Sequence, residues 1–368
     1  MSRIVVKIGS NILTESAGGL NQRRINAISR EVTDLCNAGH EVVIVSSGAI
    51  AAGMVKMGLS QKPKETMLKQ AAAAAGQSSL MQAYEKSFQR HNKKVAQVLL
   101  TRGVVSLRHT YLNSRNTFLT LLEYGLIPIV NENDTVATEE LKFGDNDQLA
   151  AIVAGLIDAD RLIILSDVEG LYSSDPKKDQ RAIIIPTVKV ITPELKSICG
   201  GAGSSVGLGG MYSKVLAAEK AMSFGIPVNI INGTQKGLLV SIVKGGHHGT
   251  EFLAEKKSMN SRKGWIAYSV NPKGALVLDQ GAVNALIRGG KSLLPSGVTA
   301  VEGSFSRGEA VFCSDNKGNR IAKGIVNYSS DELQKIKGSK SAEIEKILGS
   351  KREDEVIHRD DLVLLQTG

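Results

Sequence analysis

Cysteine is scarce: Cys36, Cys199 and Cys313 are the only 3 in 368 residues, far apart and without a CxxC pair. That leaves no disulfide framework and no zinc-type spacing, and it agrees with a reducing cytoplasm. No apolar run approaches the roughly 20 residues that a membrane span needs. The opening MSRIVVKIGSN runs straight into a strand-like pattern, without the charged head, apolar middle and small-residue cleavage site of a signal peptide. The expectation is a cytoplasmic protein with no membrane partner. His91, His109, His247, His248 and His358 have no metal-ligand spacing, and no Ser/His/Asp arrangement stands out. Low complexity is confined to Ala71 to Ala75, which suits a closely packed helix, and internal repeats are lacking.

What is present is an ordinary globular balance of 42% hydrophobic and 22% charged residues, on a chain long enough for one large and one small domain. The net charge of +9 is uneven: residues 1–264 carry 31 Lys/Arg against 23 Asp/Glu, and residues 265–368 carry 14 against 13. A basic, Gly-rich first part suits an anionic ligand, although an excess of this size also describes a solvated surface.

The first 245 residues alternate short β-branched runs with amphipathic stretches, the pattern of strand-helix-strand units around a mainly parallel sheet. Strands are expected at Ile4 to Ile8, Glu41 to Val45, Val95 to Leu100, Ile127 to Val130, Arg161 to Leu165 and Val228 to Ile231. Helices are expected at Gln22 to Asn37, Glu65 to Arg90, Tyr111 to Glu123, Asp145 to Leu156 and Tyr212 to Ser223. Several strands are continuously apolar, as strands covered on both faces are, so the fold class is an α/β sandwich. After Gly245 the composition changes, which sets a division into 1–255, a connector over 256–264, and a small β-rich domain over 265–368. In that last part strands are expected at Ala275 to Leu278, Ser292 to Leu294, Ala310 to Cys313 and Ile321 to Val326, with helices at Gly281 to Arg288 and from Asp331 through Leu348.

Chemistry concentrates at the strand ends, where open parallel sheets bind ligands. Lys7-Ile8-Gly9-Ser10 offers a cation for a transferring phosphoryl group and a glycine that lets backbone approach phosphate, or else a surface lysine beside a turn. Ser46-Ser47-Gly48 leads into a helix whose free N–H groups suit a carboxylate; a serine helix cap is the plainer reading. Asn131-Glu132-Asn133-Asp134 and Gly144-Asp145-Asn146-Asp147 gather acceptors able to bind Mg²⁺ or a substrate ammonium, or to orient a lysine. Turn and cap chemistry would use the same residues. Ser166-Asp167 opens a turn suited to adenine and ribose or to structure alone. Gly207 to Lys214 puts glycines before a helix, an anion nest in physics, though GxxxxGK[ST] is not satisfied.

Taken in order, VVKIGSNIL, VIVSSGAIAAG, IPIVNENDTV, GDNDQLAA, LSDVEGLY and GLGGMYSK resemble the glutamate 5-kinase branch of the amino-acid-kinase family. Toward the end, LLPSGV, GSFSRGEAV and VIHRDDLVLL look like a PUA domain. The resemblance implies an amino-acid-kinase fold, a three-layer sandwich around a mainly parallel sheet, followed by a PUA-like domain. It implies transfer of a phosphoryl group from ATP, with Mg²⁺, to the side-chain carboxylate of glutamate, the first step towards proline. Lys7 and Lys214 would be the transition-state cations, with Asp147 orienting the lysines or the metal. Ser47, Asp134 and Asn146 would bind glutamate, with Gly48 lending backbone and Asp145 support. Lys7, Ser166, Asp167, Leu208, Gly209, Gly210, Met211, Tyr212, Ser213 and Lys214 would bind ATP. The family has threonine where this chain has Ser166, Leu208 and Ser213; serine keeps the hydroxyl, and Leu208 loses it, which bears on ATP affinity. Proline feedback inhibition and a homo-oligomer, dimer or tetramer, are further implications. The near-neutral 265–368 argues against an RNA-tracking surface, while a local basic patch stays open.

Overall fold

A computed structural model describes residues 1–15, 18–101, 108–137, 146–176, 179–200, 210–254, 261–268, 270–351 and 353–365. The chain divides into two compact units, Met1–Val104 with Leu112–Ser258, and Met259–Gly368 with Val105–Tyr111. Among the described residues no helix is long and apolar enough to cross a membrane.

The first unit is built on β1 (Arg3–Ile8), α1 (Ser10–Leu13), α2 (Gln22–Asn37), β2 (Glu41–Ser46), α3 (Ala49–Lys56), α4 (Thr66–Gln89) and β3 (Lys94–Leu100). It continues with α5 (Arg108–Glu123, in this unit from Leu112), β4 (Leu126–Glu132), α6 (Asn146–Leu156), β5 (Arg161–Ser166), β6 (Thr187–Val188) and α7 (Pro193–Ile198). It closes with α8 (Met211–Ser223), β7 (Val228–Asn232), α9 (Leu238–Val243) and β8 (Thr250–Phe252). Among the described residues the strands make one eight-stranded sheet in the order β3-β4-β2-β1-β5-β7-β8-β6. Its pairs are parallel apart from β7 with β8. The order doubles back around β1, and the carboxyl ends of β1, β2, β4 and β5 lie together, as the register Ile8↔Ser46 and Ile8↔Leu165 requires.

Strand parity assigns each face. Ile4, Val6 and Ile8 of β1 join Ile25, Ile28 and Val32 of α2, Leu80, Tyr84 and Phe88 of α4, and Leu239 and Ile242 of α9 in one buried cluster. Alternate side chains point the other way, so Val5 and Lys7 face the layer made by α6 and α8. Helix α6 is buried at Asp147 and from Leu149 through Leu156, which is why it reads as apolar all round. The result is helix, sheet, helix. Helices α3 and α4 approach backbone to backbone: a Cβ on Gly53 would lie 1.7 Å from Ala72 O, and one on Gly76 would lie 1.9 Å from Ala49 O. No larger residue fits that crossing.

The second unit holds α10 (Ser261–Tyr268), β9 (Gly274–Leu278), α11 (Gln280–Gly289), β10 (Val298–Gly303), β11 (Ala310–Ser314), β12 (Arg320–Ile325), α12 (Ser330–Ile336), α13 (Ile344–Leu348) and β13 (Leu362–Leu364). Its sheet runs β10-β9-β11-β12-β13, parallel only between β9 and β11. Leu276, Leu278, Val311, Cys313, Tyr328, Leu333 and Ile357 fill its core.

Several expectations for this unit change. Helix α10 starts inside the expected connector, and Lys323 anchors its end by donating to Ala267 O at 2.8 Å and Val270 O at 2.7 Å. Ser292 to Leu294 is not a strand; Leu293 makes one isolated bridge to Ile357, and Pro295 follows at once. Strand β10, whose VTAVEG follows a Pro-Ser-Gly turn, takes an edge that the pattern did not reveal. The expected helix from Asp331 through Leu348 is broken, because Lys337 turns extended and Gly338 adopts φ of 75°. Helix α12 begins with a capping box, Ser329 accepting from Glu332 N and Glu332 from Ser329 N.

Candidate functional site

Asp147, on the first turn of α6, is the centre of the site and is 0% exposed. Lys7 Nζ approaches its Oδ1 at 2.5 Å, and Lys214 Nζ, from the first turn of α8, its Oδ2 at 3.1 Å. The two lysines are only 4% and 6% exposed. Burying an ammonium is costly unless a carboxylate or other acceptor meets it. Here one carboxylate serves two ammoniums, a stable arrangement that also attracts a further anion. Gln148 Nε2 donates to Ser213 O at 3.3 Å and so ties α6 to α8 beside the cluster.

Asp167 follows β5 at the same end of the sheet. Burial pushes its carboxyl upward, but the Asn11 amide, its own backbone N–H, the Ser166 hydroxyl and the charge of Lys214 outweigh this and hold it below the usual range. Asn11 Nδ2 donates to Asp167 Oδ2 at 2.8 Å, and Ser166 Oγ to Oδ1 at 3.3 Å. Gly210 caps α8 in an extended conformation, with Met211 and Tyr212 as the first helical residues.

A second group of side chains lies around the start of α3. Gly48 takes φ of 110°, a left-handed conformation that a side chain would strain, and this turns the chain from β2 into α3. Asn146 Nδ2 donates to Ser46 O at 2.9 Å, Ser47 Oγ at 3.2 Å and Asn131 Oδ1 at 2.9 Å. Ser46 O is a backbone carbonyl and only accepts, so the amide of Asn146 cannot be turned over. Its Oδ1 is therefore an acceptor without a donor among the described residues, and the Ser47 hydroxyl, already accepting, keeps its proton for another group. Both residues are half-buried. An acceptor beside a donor suits a zwitterion, the ammonium on one and the carboxylate on the other.

The structure thus brings together Lys7, Asp147 and Lys214, and separately links Ser47 and Asn146 to Asn131 at the end of β4, three residues before Asp134. Asp145, Leu208 and Gly209 lie outside the described residues. Sequence reasoning singled out neither Tyr84, fully buried with its hydroxyl 2.9 Å from Ser46 Oγ, nor Gln77, which accepts from Asn131 Nδ2 at 2.9 Å. Burial pushes the Tyr84 phenol up, against the weaker opposite pull of the Ser46 bond. In the sequence Tyr84 is one apolar position of α4 among others, and Gln77 sits at the end of an alanine run; neither carried a signal of its role.

Comparison with known proteins fits this geometry. The family model described as the amino acid kinase family matches residues 2–232, and the PUA domain model matches residues 274–348. The chain is 49% identical over 365 residues to the glutamate 5-kinase of Geobacter sulfurreducens, covering 99% of this chain and 98% of that one. It is 48% identical to that of Moorella thermoacetica, over 99% of this chain and 96% of the relative. The identity is 49% to that of Caldanaerobacter subterraneus subsp. tengcongensis, over 100% and 98%. Both the match to the first unit and these full-length likenesses lead to one statement: the chain belongs to the amino acid kinase family.

Proposed function

We propose that the chain phosphorylates the side-chain carboxylate of L-glutamate with ATP, giving L-glutamyl 5-phosphate, the first step of proline synthesis. The observation that carries this is the buried pair of ammoniums sharing Asp147, at the mouth of a parallel sheet and joined to a donor and acceptor pair suited to an amino acid. Full-length relatives at 48% to 49% identity that bear the name glutamate 5-kinase support the same reading.

The chemistry requires little from the protein in acid or base. A carboxylate is ionised at neutral pH, so it attacks the γ-phosphorus directly while the bond to the β-bridging oxygen breaks and ADP leaves with that electron pair. No proton moves. Catalysis is then positioning and charge neutralisation: Lys7 and Lys214 meet the oxygens of the transferred group, and Asp147 holds both ammoniums in place. Ser47, with Gly48 and Asp134, receives glutamate, and Asn146 Oδ1 accepts from its ammonium; Asp145 supports that pocket. Ser166, Asp167 and the stretch Leu208, Gly209, Gly210, Met211, Tyr212, Ser213 and Lys214 form the nucleotide side.

Mg²⁺ fits as a companion of the nucleotide. Among the described residues no group of three or more His, Cys, Asp or Glu side chains could hold a metal, and Asp147 is already engaged by two lysines. When bound with the nucleotide, the ion would supply further neutralisation of phosphate charge beside Lys7 and Lys214. Proline as a feedback inhibitor, a homo-oligomer, and a cytoplasmic site of action complete the proposal. The second unit is assigned to assembly or regulation, because every catalytic motif lies in the first.

Hydroxylamine trapping tests the reaction. With ATP and Mg²⁺, glutamate is expected to yield hydroxamate, and acetylglutamate, aspartate and UMP far less product. A clear preference for any of those three would keep the fold and overturn the substrate. Suppression by added proline would support the regulatory half.

A further inference from the structure

The long helix α4 carries two glutamines seven residues apart, Gln77 gripping the end of β4 and Gln70 the segment that follows it. Residues at that spacing stand on one helix face, two turns apart. Gln70 Nε2 donates to Ala137 O at 3.1 Å, and Gln77 Oε1 accepts from Asn131 Nδ2 at 2.9 Å. Asp134 lies between those two attachment points. The same helix holds the opposite wall of the pocket, through Tyr84 OH to Ser46 Oγ and through the Gly76 crossing with Ala49 at the head of α3.

The bonds have a fixed direction. Glu132 N donates to Asn131 Oδ1 at 2.9 Å, and a backbone N–H cannot exchange roles, so Asn131 must offer its Nδ2 to Gln77. Its Oδ1 in turn receives Asn146 Nδ2, leaving Asn146 Oδ1 turned away as an acceptor. Among the described residues Gln77 Nε2 is consequently buried with no partner. Turning that amide over would set donor against donor at Asn131, so the molecule keeps an unpaired N–H instead of reversing the chain, a cost that ordinary packing seldom tolerates.

From this we infer that Gln77, assisted by Gln70, is a positioning residue of the acceptor site: through Asn131 it sets the place and polarity of Asn146 and Ser47, and so governs affinity for the amino-acid substrate. The inference rests on the reading of that site as the glutamate pocket. If the parent enzyme forms no hydroxamate with glutamate, that reading fails; with an active parent, the following variants test Gln77 alone.

Steady-state kinetics of full-length Q77M, Q77E and Q70L make the test. Methionine fills the space without an acceptor, and the KM for glutamate should rise about tenfold or more while the KM for ATP moves less than about twofold. Glutamate at position 77 keeps an acceptor toward Asn131 and should recover most of that loss. Q70L, which removes a single bond to a backbone carbonyl, should raise the glutamate KM about threefold and keeps the test available should Q77M not fold. An unchanged glutamate KM in Q77M, or equal rises for both substrates, would overturn the inference. So would Q77E proving worse than Q77M, because the Gln77 N–H would then be the important group; if Q77M does not fold, an unchanged Q70L overturns it.

Discussion

Lys7 and Lys214 reach one buried carboxylate from opposite directions, the first from the end of β1 and the second from the first turn of α8. Neither interaction stands alone: removing the carboxylate leaves two buried ammoniums facing each other's field. Asp147→Asn is therefore expected to cost about 3–5 kcal/mol of stability, read from urea or guanidinium unfolding. Lys214→Ala leaves Asp147 still paired with Lys7, so its effect should fall on the transition state: kcat down about 100- to 1,000-fold, with the KM for glutamate changed only a few-fold. Equal turnover in variant and parent would contradict the role given to Lys214. Asp167 gives a pH test. Its folded carboxyl is held below the ordinary range, so its ionised form contributes stability that is present above the unfolded value and lost as pH falls through the lowered folded value. The stability difference between the parent and Asp167→Asn should accordingly shrink on acidification below the ordinary carboxylate range, and remain under about 1 kcal/mol because the group is largely exposed. A difference that grows in acid would reverse the sign argued here.

Helices α3 and α4 touch backbone to backbone beside the proposed acceptor pocket. A methyl group at Gly76 would meet Ala49 O at 1.9 Å, too close for a side-chain rotation to relieve. Gly76→Ala should push α3 away, costing about 1–3 kcal/mol in unfolding measurements and raising the KM for glutamate more than that for ATP. A fully stable variant with parental KM values would show that the crossing has room. The elements themselves were largely legible in the sequence. Helix α2 spans the expected Gln22 to Asn37, and each expected strand of the first unit appears, extended by no more than a residue or two at its ends. Continuous apolar runs buried on both faces leave little ambiguity of type. The short strands β6 and β8 and the edge strand β10 were not legible, because they are held by neighbours and not by their own pattern. Of the site, the strand-end motifs were readable because turn chemistry and ligand chemistry use the same residues at the same places. Gln77 and Tyr84 were not: their importance comes from Asn131 and Ser46, distant in sequence, and only the fold makes them neighbours.

At the scale of the whole molecule the chemistry resides in one unit. The second has its own core and its own five-stranded sheet. In the proposed reading the first unit binds an anionic cosubstrate with buried cations and an amino acid with a donor and an acceptor, and no step calls for a histidine, a thiol or a proton transfer. Cys313 fits that division: it is buried in the second unit, where desolvation pushes its thiol up to about 12 and keeps it unreactive. The central claim is that the side-chain carboxylate of glutamate is itself the nucleophile. It is tested most directly by supplying glutamate labelled with heavy oxygen in that carboxylate, together with ATP, Mg²⁺ and hydroxylamine. Hydroxylamine breaks the bond between the acyl carbon and the bridging oxygen, so the account predicts that the released phosphate carries one heavy oxygen from glutamate. Phosphate that contains none, despite consumption of ATP, would contradict it.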